Sequence, residues 1–195
     1  MELMHWIAGQ QKGVRGYYEM NIRSLVPLEQ LKVRPTPASN SIVWLMWHLA
    51  RVEDMLINKF IRGESQLIES KEWADRLGVS DQRIGTGSTD EEVEGFSSAA
   101  DPAEVDAYWE AVSKNTRAWL KTISPADLDL VPDTEAQRQS GASLTSTSKL
   151  DEAVISLYKG RSAAWTIANG VIMHGYLHVG EMAATRGLLG VSGWL

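Results

Sequence analysis

From Ser162 to Gly180 the chain runs nineteen residues without an Asp, Glu, Lys or Arg. This run constrains the fold more than any other stretch, because a long uncharged helix is accepted either by a bilayer or by the centre of a packed bundle. Its length is about that of a membrane span, but its contents are not. Asn169, two histidines, several glycines, Ser162 and Thr166 are all costly in hydrocarbon. The run therefore reads as the buried helix of a globular protein, continuing to about Leu189 and stopped by Gly190.

Three more segments carry apolar residues at helical spacing. Leu3 to about Leu25 has a stripe of Leu3, Ile7, Val14, Tyr18 and Leu25, interrupted by Gly9, Gly13 and Gly16. Ser41 to Arg62, closed by Gly63, carries Ile42, Leu45, Leu49, Val52, Leu56 and Phe60. The third begins with Asp101 as N-cap, Pro102 in the first turn and Glu104 at the third position, and runs to about Ile123. Shorter helical pieces are expected at Ser70–Leu77, after the capping pattern Thr89-Asp90-Glu91-Glu92, at Ser124-Pro125-Ala126-Asp127, and over Leu150–Tyr158. Asp133 to Ser148 is rich in Ser, Thr and Gln and reads as a long exposed loop. No segment alternates as a strand would. The class is all-α: a four-helix bundle with short extra helices and long loops, in one domain over residues 1–195.

Composition removes several functions. A net charge of −6 opposes a nucleic-acid partner, which requires a basic face. The absence of cysteine excludes disulfides, thiolate metal sites and a cysteine nucleophile. Met1-Glu2-Leu3-Met4-His5 has neither the basic nor the apolar region of a signal peptide, so a cytoplasmic protein with no membrane partner is expected. Most of the eight tryptophans should anchor the core, with their N–H groups paired at its rim.

Two of the four histidines, His174 and His178, stand four residues apart in the uncharged run. On a helix they share a face with Ile167, Val171, Glu181 and Thr185, apolar above and polar below. Two imidazoles so stacked can grip one metal ion, and His48, at the core edge of the second helix, is the available third ligand. Three protein nitrogens leave a coordination position open, which is the pattern of a catalytic metal. Imidazoles suit Zn, Ni, Cu or Fe. Glu181 has three readings: a ligand in a two-histidine, one-carboxylate site, an orienting partner of a ligand histidine, or a base. The competing reading of the pair is two hydrogen-bonded polar residues in a crowded helix. Asn21, on the first stripe, reads as a satisfied buried amide rather than a pocket-lining group.

Ser41-Ile42-Val43-Trp44-Leu45-Met46-Trp47-His48-Leu49-Ala50-Arg51-Val52-Glu53-Asp54 resembles the second-helix signature of the DinB/YfiT-like superfamily, in the branch with Ser-Ile-x-Trp-Leu-x-x-His-x-Ala-x-x-Glu-Asp. His174-Gly175-Tyr176-Leu177-His178-Val179-Gly180-Glu181 is similar to its last-helix pattern, and Arg186-Gly187-Leu188-Leu189-Gly190 to its C-terminal end. Gly85-Thr86-Gly87 followed by Glu91-Glu92-Val93 is also similar to that branch. The resemblance implies an up-down-down-up bundle, frequent homodimers, and a divalent metal, usually Zn or Ni, on His48, His174 and His178. Glu53 matches the pattern without an assigned role. Some members of that superfamily are thiol-dependent transferases or isomerases, others are metal-dependent hydrolases, and many have no known activity. The expectation is a metal-dependent enzyme of one of these types acting on a small molecule. Since the chain has no cysteine, any low-molecular-weight thiol would come from substrate or cofactor. The alternative is a non-catalytic stress-response or interaction protein with a structural metal; a third reading is a dimer scaffold without metal.

Overall fold

Side chains that replace missing backbone partners set the helix starts. Ser41 accepts from the Trp44 amide (3.1 Å), Asp101 from Ala103 (2.8 Å) and Ser162 from Trp165 (3.2 Å). Thr89 and Glu92 form a reciprocal capping box. In this computed structural model, which describes residues 2–79, 83–134 and 143–193, there are seven helices among the described residues, all but the first opening on a capping side chain. Helix α1 is Leu3–Tyr18, continued by a π turn Glu19–Arg23. Helix α2 is Ile42–Asp54, continued by a π segment Met55–Arg62 and ended by Gly63 at φ +67°. Helices α3 (Lys71–Leu77), α4 (Asp90–Ala99), α5 (Pro102–Leu120) and α6 (Ser148–Tyr158) follow. Helix α7 consists of Ala163–Thr166, a π segment Ile167–Met173 and His174–Leu188.

The four long helices α1, α5, α2 and α7 form a ring in that order, each packed on the next. Residue contacts give the directions. Arg117 reaches Gln11 and Arg15 reaches Asp106, so α1 and α5 are antiparallel. Arg51 meets Tyr108 and Arg62 meets Asn115, so α2 and α5 are parallel. Asn40 meets Glu181 and His48 meets His174, so α2 and α7 are antiparallel. Tyr176 meets the Gln10 carbonyl and Arg186 that of Asn21, so α1 and α7 are parallel. The order is up-down-down-up, as the resemblance implied.

Helix α2 is the axis of the molecule. All thirteen residues from Ile42 to Asp54 are buried, not just the stripe that the sequence marks. Its apolar members each contribute about 1.5–3 kcal/mol on burial. Its charged members survive there because they are paired. Asp54 accepts from Arg51 (3.2 Å), Asn58 (2.7 Å), Tyr108 (2.6 Å) and the amides of Leu67 (3.0 Å) and Ile68 (3.2 Å). Arg51 also donates to Gln66. One carboxylate thus ties α2 to α5 and to the strap after Gly63.

Four expectations change. The turn after Thr89 is a ten-residue helix, Asp90–Ala99. The segment read as an exposed loop lies partly outside the described residues, at 135–142; within the described part, Thr134, Leu144 and Thr145 are buried, and Asp151 accepts from both the Leu144 and Thr145 amides. The Leu144 and Thr145 amides are thus satisfied internally rather than by water. Among the tryptophans, Trp44, Trp47 and Trp109 anchor the core, but Trp6 is 48% exposed, Trp194 lies outside the described residues, and the Trp47 N–H is buried without a partner among those described. Lastly, the uncharged run is not enclosed all round: Met173 (58%) and Leu177 (64%) face outward. None of the described helices is long and apolar enough to cross a membrane.

Candidate metal centre

His48 sits two turns into α2, held by packing on both sides. The Trp44 indole stacks on its ring at 5.1 Å and 10°. Gly85 crosses its other edge, and the Ile84 carbonyl faces its Nδ1 at 2.5 Å. His174 and His178 open the last α stretch of α7, just after its π segment. There Gly170 lets α7 approach α2: a Cβ at that position would lie 2.4 Å from Leu56 Cδ1. The three imidazoles therefore converge. His174 Nε2 is 3.3 Å from His48 Nε2 and 3.1 Å from His178 Nε2. Nitrogens about 2.0–2.1 Å from a tetrahedral ion lie about 3.3–3.4 Å from each other, so the spacing fits one ion. Among the described residues the three form a single group able to hold a metal.

The outer nitrogens fix the tautomers. A carbonyl or carboxylate oxygen accepts, so the proton of His48 is on Nδ1, toward Ile84, and that of His178 is on Nδ1, toward Glu181 Oε2 at 2.7 Å. Both Nε2 atoms then present bare lone pairs to the centre. His174 can offer one proton at most to two facing lone pairs, so hydrogen bonding alone leaves one of them unmatched in a buried place. A cation removes the conflict. Charge on the rings is also disfavoured: burial first, then the neighbouring histidine His178, lowers His48 to about 4, and burial first, then His48 and His178, lowers His174 to about 3. Both rings stay neutral, and so ligand-competent, well below neutral pH.

Glu181 falls beside the triad rather than in it. Its Oε2 takes the His178 Nδ1 proton and its Oε1 accepts from Asn40 at 2.9 Å. The hydrogen bond from His178 is the main cause of its lowered carboxyl pKa; burial opposes the shift, and Asn40 adds to it. Asn21 is buried but not the fully satisfied amide expected: its Nδ2 donates to the Tyr17 carbonyl at 3.0 Å, while its Oδ1 is buried without a partner among the described residues. Glu53 is buried between α1 and α5, accepting from Gln11 at 2.7 Å and Ser113 at 3.5 Å. Glu181 takes the orienting place that was one of its three readings, whereas the outer partner of His48 and the residue that holds Glu181 were missed by sequence reasoning. Ile84 acts through a backbone carbonyl, which carries no sequence signature, and Asn40 lies just outside the cap of α2, 141 residues from Glu181.

A crystal structure of a conserved protein from Enterococcus faecalis superposes with a TM-score of 0.71, covering 97% of this chain and 99% of that one at 19% identity. That likeness is one of fold alone. No match is found among curated proteins. The family model of the DinB superfamily matches residues 15–182, a span containing all three converging histidines, Glu53 and Glu181, and the chain belongs to the DinB superfamily.

Proposed function

We propose that the protein is a metal-dependent enzyme whose divalent ion, Zn or Ni, is held by His48, His174 and His178. The observation that carries this reading is the arrangement of three inward Nε2 atoms with no fourth side-chain ligand among the described residues. Such a ligand set leaves a position for substrate, whereas structural sites are closed by four ligands. When bound, the ion supplies Lewis acidity that lets a thiol or a water lose its proton near neutral pH. The reaction class is thiol-dependent transfer or isomerisation, with hydrolysis as the second option. A thiol must come from a small molecule, because the chain has no cysteine. The chain's own residues orient the ligands. The Ile84 carbonyl and Glu181 hold the Nδ1 protons of His48 and His178, and Asn40 holds Glu181. With Oε2 committed to His178, Glu181 serves as a positioning residue rather than a base. A small-molecule substrate is supported by an aromatic cleft of about 220 Å³ lined by Trp44, Trp47 and Phe96, with Trp44 stacked on His48.

A second copy of the chain is the proposed partner. Trp6, Tyr17 and Met20 of α1 and Met173, Leu177 and Leu188 of α7 are exposed on neighbouring parallel helices. Exposed apolar side chains in such number favour a protein contact.

Metal analysis of protein purified without added metal, followed by Zn and Ni titration, tests the centre. Stoichiometric binding by wild type, lost in His178→Ala, is the expected result; no binding by wild type refutes it. Turnover is then sought on a panel of thiol conjugates and esters. A metal-loaded protein inert on the whole panel favours the non-catalytic reading.

A further inference from the structure

His174 differs from the other two histidines at its outer nitrogen. Its Nδ1 is buried and has no hydrogen-bond partner among the described residues. With Nε2 turned to the centre, Nδ1 carries the proton, and a buried N–H without an acceptor costs about 1–3 kcal/mol. Ligating histidines almost always give this proton to a carboxylate, a carbonyl or a water. Beside His174 lies a cavity of about 10 Å³, close to the space one water needs. Gln11, Glu53, Ser113, Gly170 and Gly175 line it together with His174. Glu53 is 6% exposed, and Gln11 and Ser113 fix both its oxygens without satisfying all their lone pairs. One water's worth of room, with the side chains of Gln11, Arg15, Glu53 and Ser113 set among apolar neighbours, thus lies beside a histidine whose N–H needs an acceptor.

We propose that one ordered water in this cavity accepts the His174 Nδ1 proton and donates to Glu53, making Glu53 a positioning residue for the third histidine. The inference rests on the three histidines holding a metal. It gives each ligand its own outer acceptor: a carbonyl for His48, a carboxylate for His178, and a carboxylate acting through water for His174. It also gives a role to a buried acid that lies on α2 five residues after His48 yet points to the opposite flank of the centre, toward α1 and α5.

Three measurements test it. A high-resolution crystal structure of the wild type should show a water within hydrogen-bonding distance of both His174 Nδ1 and Glu53; clear density without that water overturns the bridge. Zinc affinity by chelator competition should weaken about 10–100-fold in E53L and about tenfold in E53Q, which keeps the side-chain volume. A purely structural Glu53 would shift the melting temperature of chelator-treated protein and leave the affinity ratio unmoved. If wild type binds zinc and E53Q binds within twofold of it, the role of Glu53 is wrong while the metal centre stands. If wild type binds no metal, the centre itself fails, and the role of Glu53 with it.

Discussion

Replacing Gly85 with alanine perturbs fold and site through one atom. Gly85 has φ +89°, a conformation that costs an L-residue about 1–2 kcal/mol. The added Cβ would lie 2.7 Å from Trp47 Cζ3, 2.9 Å from Trp44 Cζ2 and 3.4 Å from His48 Nδ1. Moving either indole breaks packing: both are 7% exposed, Trp44 is stacked on His48, and Trp47 packs on Phe96. Overpacking of this kind costs about 1–3 kcal/mol. The sum is about 2–5 kcal/mol, or roughly 4–20 °C in melting temperature for a chain of this size. The strain falls one residue from the Ile84 carbonyl that holds His48 Nδ1. Zinc affinity should therefore drop as well, by about 10–100-fold, as when an outer partner of a ligand is lost. Urea unfolding in chelator reads the first effect and competition titration the second. Unchanged stability would refute the packing of Gly85 on the indoles. Lost stability with wild-type affinity would refute the orienting role of Ile84.

Glu181→Ala removes the acceptor for His178 Nδ1 and should weaken zinc binding about 10–100-fold, with chelator-treated stability nearly unchanged because Glu181 is partly exposed; equal affinity would remove Glu181 from the centre. Metal-free stability should fall as pH drops. His48 and His174 are lowered to about 4 and about 3 in the folded state, so below about 6.5 the unfolded chain binds protons that the folded chain refuses. The contribution is fully present above about pH 6.5 and is lost as pH falls to about 4 for His48 and to about 3 for His174, by up to about 1.4 kcal/mol per pH unit per ring. His48→Gln should flatten the slope of unfolding free energy against pH in this window, and parallel slopes would contradict the neutral-ring assignment. Light scattering should give the mass of a dimer for wild type and of a monomer for Leu177→Lys; a wild-type monomer sinks the self-association reading.

What was legible in the sequence is what is encoded locally. Ser41, Thr89, Asp101 and Ser162 mark helix starts because a cap acts within three residues of itself. The His174–His178 pair was legible from helical spacing, and His48 from its place on the second helix. The π segments were not, because tertiary contacts accompany them: that of α7 runs through Gly170, which meets Leu56 in that of α2. The burial of Leu144 and Thr145 was hidden by polar composition, since an acceptor seven residues on, Asp151, does the work assigned to water. Glu181 was placed on the right face, but its commitment to the outside of His178 depends on Asn40, which sequence distance conceals.

Whether an ion on the three histidines would serve chemistry or the fold turns on what holds α2 without it. A structural metal supplies cohesion that the chain lacks, yet here α2 is already fixed independently. Ser41 caps it, Gly170 lets α7 close on it, and Asp54 collects five donors from α2, α5 and the strap after Gly63. Breaking that last network removes the buried carboxylate at 3.2 Å from Arg51 and the acceptor of four other donors, a loss of about 3–5 kcal/mol. Chelation removes only the linkage term set by metal concentration and affinity, while the packing around the three rings remains in place. Metal-free protein should therefore unfold in one sharp transition with its helical signal intact, whereas Asp54→Ala should be markedly less stable with or without zinc. Circular dichroism melts of both proteins, with and without chelator, check this. If chelated wild type loses its helix while zinc-loaded Asp54→Ala keeps it, the metal is a structural element and the catalytic reading gives way.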